Sequence, residues 1–407
     1  MDKVILHCDL NNFYASVEQL SHPELDGLPI AVCGDPEARH GIVLAKNMKA
    51  KAAGVATGEP IWAAKRKCPG IVFLPPHYDE YVRISKQVFS IYTEFTDRVE
   101  SFGLDECWLD VTESTSLLGS GKEIADRIRE TVKTRTGLTI SVGVSFTKVL
   151  AKLGSDLKKP DATVLLPRES YMDTIGDMPP SSLIMIGRSA AAKLEALGIR
   201  TIRRLAEADR GMLRSRFGVI GEKMSDAARG EGDDEVAFYY AVRVPKSVSH
   251  GTTTPRDMTS DEDARAVVYA LSELVAARLR RHDLVAGGVA LTLRRADLTT
   301  ASKQCLLPAD TCSASDIAEG ALGLLSSMHS FPAPLRALSV AATRLSESSV
   351  RQMSLFDDGV SREEVLEKCV DEIRGKYGFN ALRRGVLIGD KLTEGLHGDD
   401  GFLPFKR

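Results

Sequence analysis

The chain lacks the features that define several common classes of protein. Its seven cysteines are scattered, odd in number and include no Cys-x-x-Cys pair, which argues against a disulfide framework or a zinc site. No apolar run is long enough to span a bilayer, and the start Met1-Asp2-Lys3 lacks the regions of a signal peptide. The net charge is −3, so no overall positive charge indicates a nucleic-acid partner. We therefore expect a cytoplasmic globular protein, in which nucleic acid would bind only through local basic patches.

Two acidic segments carry most of the information in the sequence. The first runs from His7 to Glu18 and contains Asp9, and the second contains Asp105 and Glu106. Each segment places carboxylates at the edge of an apolar, strand-like run. Carboxylates that converge on one point cannot all stay ionised unless cations lie between them. Mg²⁺ is a natural partner for such oxygen ligands, and it usually accompanies phosphate chemistry.

The spacing of apolar residues predicts how these two segments meet. It predicts, in order, a strand over 3–9, a helix from Phe13 with Asn11 or Asn12 as N-cap, a helix over 80–96, a hairpin over 99–112, a helix around 124–132 and a strand over 138–144. With residues 12–77 set aside, the order is βαββαβ, which is the ferredoxin-like pattern. In that fold the end of the first strand lies beside the central hairpin, so Asp9 should meet Asp105 and Glu106.

The rest of the chain divides by composition into three regions. A helical stretch begins at Pro179-Pro180, and its Ile186-Gly187-Arg188 segment resembles the turn of a helix-hairpin-helix. Residues 242–346 mix strand-like runs with helices at 259–281 and 313–328, as a separate α+β domain would. Residues 347–362 have the composition of a linker, and a last helix is predicted from Glu363 to Lys376.

Three motifs, taken in order, resemble those of the bacterial Y-family translesion DNA polymerases, the DinB and UmuC groups. They are Asp9-x-x-x-Phe13-Tyr14-Ala15-Ser16-Val17-Glu18, Leu104-Asp105-Glu106-Cys107-Trp108-Leu109-Asp110, and the segment from Ser141 to Pro160. The resemblance covers nearly the whole chain and implies a multidomain α+β architecture. The implied domains are a ferredoxin-like palm (1–11 and 78–167), inserted fingers (12–77), a helical thumb with a helix-hairpin-helix (168–238), a DNA-binding α+β little finger (242–346) and a tail (347–407).

The resemblance implies a low-fidelity DNA polymerase that extends primers past damaged bases by transferring nucleotides from dNTPs. Two Mg²⁺ ions would be bound by Asp9, Asp105, Glu106 and the backbone carbonyl of Leu10. One ion would lower the pKa of the primer 3′-hydroxyl, and the other would hold the triphosphate. The structural alternative is that Asp9 caps a helix and that Asp105 and Glu106 lie in an exposed turn.

The resemblance also assigns the residues that bind the nucleotide. A helix would begin just after Asn12, at Phe13 and Tyr14. Its first backbone N–H groups would attract the phosphates. Tyr14 would be the steric gate, whose ring clashes with a ribose 2′-hydroxyl, and Lys159 would contact the triphosphate. The alternative places both aromatic residues in the core, and of the two we expect Phe13 to be the more buried. Lys148 and Lys152 either contribute to the site or form a solvated helix face.

The fingers region departs from the family pattern. The family commonly has a hydroxyl residue, a tyrosine and an arginine where this chain has Ala45, Met48 and Lys51. Lys51 keeps the charge but loses the bidentate fork of arginine, and Met48 cannot donate a hydrogen bond. We therefore expect weaker nucleotide binding or an altered pose rather than loss of activity.

Contacts with DNA should be made mostly to phosphates. Gly187 and Arg188 would contribute from the thumb, although Met185 replaces a common glycine in that turn. In the little finger the candidate basic residues are Lys246, Arg278, Arg280, Arg281, Arg294, Arg295 and Lys303. Neighbouring strand residues face opposite sides of a sheet, so only one of Arg294 and Arg295 should face DNA.

The linker contains a segment that resembles the clamp-binding peptide of bacterial polymerases. Gln352, Leu355 and Phe356 would contact the sliding clamp, with the two apolar side chains filling a pocket. We expect a monomer on DNA. Two other readings are open: a catalytically weak polymerase-like protein that recruits DNA and clamp, and a cyclase-like enzyme on a similar palm. The cyclase-like reading leaves the thumb, the basic domain and the clamp peptide unexplained.

Overall fold

The computed structural model describes residues 3–34, 41–232, 235–241, 245–348, 362–393 and 396. The chain divides into two compact units, one ending at Ala241 and the other beginning at Val242. Each unit has its own hydrophobic core. Within the described ranges, no helix is long and apolar enough to cross a membrane.

The first unit contains both strands and helices. Its strands are β1 (Ile5–Leu10), β2 (Ile30–Cys33), β3 (Val43–Lys46), β4 (Val72–Leu74), β5 (Val99–Ser101), β6 (Glu106–Asp110), β7 (Ile140–Ser145) and β8 (Thr163–Leu165). Its helices are α1 (Phe13–Ser21), α2 (Met48–Ala52), α3 (Ile61–Lys67), α4 (Tyr78–Tyr92), α5 (Thr115–Leu118), α6 (Gly121–Thr136), α7 (Lys148–Leu157), α8 (Tyr171–Ile175), α9 (Arg188–Ala196), α10 (Ile202–Glu207), α11 (Arg210–Phe217) and α12 (Val219–Ala228).

The main sheet of this unit has the strand order β5-β6-β1-β7-β8. Strand β1 pairs antiparallel with β6 and β7, β5 pairs antiparallel with β6, and β8 adds a parallel edge to β7. The order and directions of β5, β6, β1 and β7 confirm the predicted ferredoxin-like pattern. Helices α4 and α6 cover one face of the sheet and α7 packs on the other, so β1 is buried along its whole length.

Helix α7 packs closely against the main sheet. A Cβ atom on Gly143 of β7 would clash with the carbonyl oxygen of Ala151 and would lie 2.5 Å from the nitrogen of Ser155. Glycine is therefore required for α7 to approach β7 this closely. The side chain of Thr147 caps α7 by accepting a hydrogen bond from the N–H of Leu150.

Two smaller groups of elements complete the first unit. A three-stranded sheet with the order β3-β2-β4 packs with α2 and α3 around a small apolar cluster. Helices α8 to α12 pack around a separate apolar cluster, which includes Leu194, Leu205, Leu213 and Met224. These groups occupy the regions that the sequence assigned to fingers and thumb.

The second unit is an antiparallel sheet covered by helices. Its elements are β9 (Ser247–Met258), α13 (Asp261–Arg281), β10 (Leu284–Arg295), β11 (Thr300–Thr311), α14 (Ala314–Met328), β12 (Leu335–Glu347) and α15 (Arg362–Tyr377). The strand order is β11-β10-β12-β9, and α13 and α14 bury their apolar sides against the sheet. The helices predicted at 259–281, 313–328 and 363–376 are all present.

Helix α15 docks on the second unit through buried ion pairs. Arg280 Nε lies 2.6 Å from Asp371 Oδ2, and Arg280 also pairs with Glu367. Arg374 Nη2 lies 3.0 Å from Glu273 Oε2. The side chain of Arg280 is only 7% exposed, so the expectation that it belongs to a DNA-binding stripe was wrong.

The pairing of β10 with β12 is irregular at the two arginines expected to bind DNA. Its register shifts between Arg294 and Arg295. The extra residue is Arg336 on β12, so β10 itself has no extra residue, and the expectation that the two arginines face opposite sides stays a prediction.

Candidate active site

The three predicted metal-binding carboxylates lie together at one end of the central strands. Asp9 of β1 is directly opposite Glu106 of β6. The N–H of Leu10 donates to the carbonyl oxygen of Asp105 at 3.0 Å. The two distant segments therefore meet as the predicted topology requires. Asp9 is only 6% exposed, and Asn12 takes the N-cap position of α1, so Asp9 does not act as the cap of that helix.

Burial and neighbouring charges shift the pKa values in this cluster in different directions. Burial, together with the charges of Glu106 and Asp9, raises the pKa of Asp105 to about 6. Burial also raises the pKa of Asp9, although Lys159 opposes this. Burial acts in the same direction on Glu106, but contact with His7 and the charge of Lys152 hold its pKa below the ordinary value. Like charges gathered in a buried place raise one another's pKa unless a cation intervenes.

Two lysines supply positive charge to this cluster. Lys152 Nζ lies 3.2 Å from Asp9 Oδ2 and 3.0 Å from Glu106 Oε1, and Lys159 Nζ lies 2.8 Å from Asp9 Oδ2. Asp156 contacts both ammonium groups, at 3.1 Å and 2.8 Å, and so orients both lysines. The solvated-face alternative for Lys152 was wrong, since its side chain is only 15% exposed.

Lys148 faces a different neighbourhood. Its Nζ lies 2.6 Å from Glu100 Oε2 and 5.0 Å from the centre of the Trp108 ring. The side chain is 18% exposed, so Lys148 does not lie on a solvated face either. Its contacts join α7 to the edge of the main sheet.

The donor set at the end of β1 suits a divalent cation. Among the residues that the structure describes, no three Asp, Glu, His or Cys side chains already enclose a metal-sized position. Glu106 Oε2 is nevertheless buried without a hydrogen-bond partner in the described part of the chain. Carboxylate oxygens are the ligands that hard cations such as Mg²⁺ prefer. A cation among Asp9, Asp105 and Glu106 would offset the repulsion between these partly or fully buried carboxylates.

His7 is a member of the site that sequence patterns did not identify. It is fully buried on β1, and its Nδ1 lies 2.9 Å from Ser155 Oγ. Its Nε2 lies 3.4 Å from Glu106 Oε2, and its ring meets Trp108 edge-on at 5.3 Å. These contacts place Nε2 of the imidazole ring beside the carboxylate of Glu106. The only sequence signal was the position of His7 two residues before Asp9, on the same face of the strand.

The predicted nucleotide-binding residues open helix α1 directly after β1. Asn12 is the N-cap, with a φ of 51°. The Asn11 side chain donates to Ser141 Oγ at 2.9 Å, so the expected capping role of Asn11 was wrong. Phe13 is 3% exposed and Tyr14 is half-buried, as expected. Burial is the main cause that raises the pKa of Tyr14 to about 12.

Tyr14 belongs to an aromatic cluster that the sequence did not predict. Its ring stacks on that of Tyr81 with centres 4.2 Å apart and an angle of 10° between the planes. Tyr81 donates a hydrogen bond to Glu18, a carboxylate that is only 2% exposed. His77 Nδ1 lies 3.0 Å from both oxygens of Glu18. The apolar spacing that predicts a helix over 80–96 does not predict these contacts of Tyr81.

The fingers residues that differ from the family pattern lie on β3 and α2. Ala45 is on β3, Met48 begins α2 with 39% exposure, and Lys51 is exposed on the same helix. Asn47 caps α2 by accepting from the N–H of Ala50. The expected effect of these residues on nucleotide binding stays a prediction.

Apart from Arg280, the residues predicted to contact DNA are exposed or half-buried. Gly187 is the N-cap of α9 and Arg188 its first residue, and both are exposed. Met185 adopts the positive φ of 75° that glycine favours, so the turn forms despite the replacement. In the second unit Lys246 and Arg294 are exposed and Arg295 is half-buried. The predicted clamp peptide, Gln352 to Phe356, lies outside the described residues.

A ferredoxin-like sheet with carboxylates at the end of its central strand, beside aromatic residues that open a helix, defines a palm of the nucleotidyl-transferring type. A model of the impB/mucB/samB family matches residues 8–156, and the model of its C-terminal domain matches residues 245–355. A DNA polymerase IV of Acetivibrio thermocellus is 45% identical over 96% of this chain and 99% of its own length. DNA polymerase IV 1 of Bacillus subtilis is 33% identical over 95% of this chain and 93% of its own length. The chain belongs to the bacterial Y-family of DNA polymerases, in its DinB-type branch.

A solved structure shares the fold. A Y-family DNA polymerase chimera of Dbh and Dpo4 matches with a TM-score of 0.74 at 22% identity, over 84% of this chain and 98% of that chain. The expected α+β architecture of palm, fingers, thumb and little finger is confirmed. The residue boundaries drawn between these domains from the sequence stay predictions.

Proposed function

We propose that this chain, a translesion DNA polymerase by family, joins dNTPs to a primer 3′-hydroxyl with two Mg²⁺ ions bound by Asp9, Asp105 and Glu106. The observation that carries the proposal is the gathering of these carboxylates at one end of β1 and β6, where burial and like charge raise the pKa of Asp105 to about 6. A purely structural role does not require like charges to be gathered. This argues against the alternative of a recruitment protein that barely catalyses.

The side chains around the carboxylates would orient the reactants. Y-family polymerases depend on divalent metal ions, which lower the pKa of an attacking hydroxyl and stabilise the leaving group. In this chain Asp9, Asp105 and the carbonyl of Leu10 would provide oxygen ligands, with Glu106 completing the set. Lys159 pairs with Asp9 at 2.8 Å and is long enough to turn toward a triphosphate when Asp9 binds a cation instead.

The start of α1 would hold the nucleotide. The first backbone N–H groups of α1 lie at the positive end of the helix dipole. They suit the β and γ phosphates of a nucleotide. Tyr14 would place its ring against the sugar and exclude a 2′-hydroxyl. Lys51 would contribute a point charge from the fingers, and the replacements at Ala45 and Met48 should weaken the binding of the triphosphate.

DNA and the sliding clamp would bind at separate surfaces. Gly187 and Arg188 would contact phosphates from the thumb, and Lys246, Arg294 and Arg295 would contact them from the little finger. Gln352, Leu355 and Phe356 would bind the clamp β subunit. We propose that the chain acts as a monomer on DNA.

Direct metal binding tests the proposed cation site without relying on activity. Mn²⁺ binding, followed by electron paramagnetic resonance in the presence of primer-template and a non-hydrolysable dNTP, should be at least about tenfold weaker in Asp9→Asn than in the wild type, because a charged ligand is lost. Glu113→Gln removes an exposed carboxylate after β6 and serves as the matched control. Equal Mn²⁺ affinity in the Asp9 and Glu113 variants would contradict the proposal.

A further inference from the structure

We propose that Glu18 is a positioning residue for sugar selection, because it fixes Tyr81, the ring on which Tyr14 is stacked. The proposal rests on the steric-gate role proposed for Tyr14. It assigns to Glu18 and Tyr81 a part in deciding which sugar the enzyme accepts, although neither needs to touch the nucleotide.

The first step is that Tyr81 determines where the Tyr14 ring lies. The two rings are stacked, with centres 4.2 Å apart and planes 10° apart. Tyr78 meets Tyr14 edge-on at 5.9 Å and Tyr81 edge-on at 5.8 Å. Offset-stacked and edge-to-face pairs are the favoured arrangements of aromatic rings. Tyr14 can therefore swing away from its position only by giving up these contacts.

The second step is that Tyr81 is itself held by a directional bond. Its ring is fully buried, and its hydroxyl donates a hydrogen bond to Glu18 Oε1. Hydrogen bonds to a charged acceptor are about twice as strong as those between neutral groups. The bond sets the position of the ring along its own plane, which apolar packing alone does not specify.

The third step is that Glu18 is fixed from the other side. Its carboxylate is only 2% exposed, and His77 Nδ1 lies 3.0 Å from both of its oxygens. A carboxylate buried in this way costs free energy unless it is hydrogen-bonded. A pair of apolar side chains would fill the same space without that cost. The orientation that Glu18 imposes on Tyr81 therefore explains why a buried carboxylate occupies this position.

Helices α1 and α4 are connected by four residues, Tyr14, Glu18, His77 and Tyr81. Tyr14 and Glu18 lie one turn apart on α1, while His77, the N-cap of α4, lies one turn before Tyr81. The stacking contact and the hydrogen bonds thus tie the two helices together at successive turns. These contacts hold the Tyr14 ring against α4 rather than leaving it free on the surface of α1.

Single and double variants test the inference through sugar discrimination, the ratio of kcat/KM for a dNTP to that for the matching ribonucleotide. Tyr81→Phe keeps the ring and removes only the hydroxyl, and it should lower the ratio about tenfold. Glu18→Leu removes the acceptor and should also lower the ratio about tenfold, whereas Glu18→Gln keeps an amide oxygen that accepts the same hydrogen bond and should lower it by less than about threefold. Tyr171→Phe, which removes a hydroxyl that bonds Ala228 in the helical stretch, should leave the ratio unchanged.

A double-variant cycle separates positioning from a general loss of stability. If Tyr81 acts through Tyr14, Tyr81→Phe should have no further effect on the ratio once Tyr14 is replaced by Ala. An unchanged ratio in Tyr81→Phe, with a collapsed ratio in Tyr14→Ala, would overturn the positioning role alone. An additive further loss in the double variant would also overturn it. An unchanged ratio in Tyr14→Ala would overturn the steric-gate role and the inference with it.

Discussion

At the scale of single residues, the negative charge of the carboxylates at the end of β1 accounts for the pKa shifts and ion pairs of the site. The charges of Asp9 and Glu106 help to raise the pKa of Asp105, and they draw Lys152 and Lys159 into ion pairs. Long lysine side chains at these positions can neutralise the carboxylates before a cation binds. Lys159 would then turn toward the triphosphate, as proposed above.

The sequence predicted residues that stand in contiguous motifs and missed those that act across the fold. Asp9 and Tyr14 could be named because each has a fixed place in a short pattern. The contacts of His7 and Glu18 could not be named, because they depend on the side-chain conformations of residues such as Ser155, which is far away in the sequence. No rule of spacing specifies such contacts.

His250 makes the stability of the second unit dependent on pH. Burial and the charge of Arg278 lower the pKa of His250 on β9. The unfolded chain therefore binds more protons between that lowered pKa and the ordinary value of about 6.5, and stability falls as the pH drops through this window. Between about pH 8 and pH 5, the thermal midpoint of the wild type should fall further than that of His250→Gln. Equal falls in the two proteins would contradict the effect.

At the scale of elements, apolar periodicity located the strands and helices well. The βαββαβ order was correct because each element buries one face, which repeats at its own period. The expectation for Arg280 failed because a long helix such as α13 can bury a charged residue when another element brings counter-charges. Glu367 and Asp371 of α15 do so, and no local pattern in α13 indicates them.

The turn before α9 carries a measurable backbone strain. Met185 has a φ of 75°, and a non-glycine residue in this region costs about 1 kcal/mol. Met185→Gly should therefore be more stable than Met185→Ala by about 1 kcal/mol, which reverses the usual order of these residues. Chemical denaturation measures the difference. In the matched control on α9, Ala192→Gly should lose about 1 kcal/mol. Equal stability of the Met185→Gly and Met185→Ala variants would show that the strain is absent.

Docking of α15 should depend on Glu367. Its buried carboxylate pairs with Arg280 and accepts from the N–H of Ala314 at 2.9 Å. Glu367→Ala leaves a largely buried guanidinium with fewer partners and should lower the free energy of unfolding by about 3 kcal/mol. Glu372→Ala, which removes an exposed carboxylate from the same helix, should change it by less than about 0.5 kcal/mol. Similar losses in the two variants, measured by urea denaturation, would contradict the proposed docking contacts.

At the scale of the whole molecule, charge is distributed locally rather than globally. The chain carries a net charge of −3, yet between Gly41 and His77 six lysines and arginines stand against a single carboxylate, Glu59. A protein whose positive charge is concentrated in local patches can bind anionic partners without being basic overall. Composition could therefore not identify the partner, whereas the order of the motifs along the chain could.

Primer extension on a DNA template with Mg²⁺ and dNTPs, comparing the wild type with Asp105→Ala and Glu113→Gln, tests the proposed chemistry most directly. We expect extension in the wild type and in Glu113→Gln, and a loss of at least about a thousandfold in Asp105→Ala, because a carboxylate at the metal site is removed. The Asp105 variant should still bind primer-template with the salt dependence of the wild type. Comparable extension by wild type and Asp105→Ala would contradict the assignment of the catalytic centre.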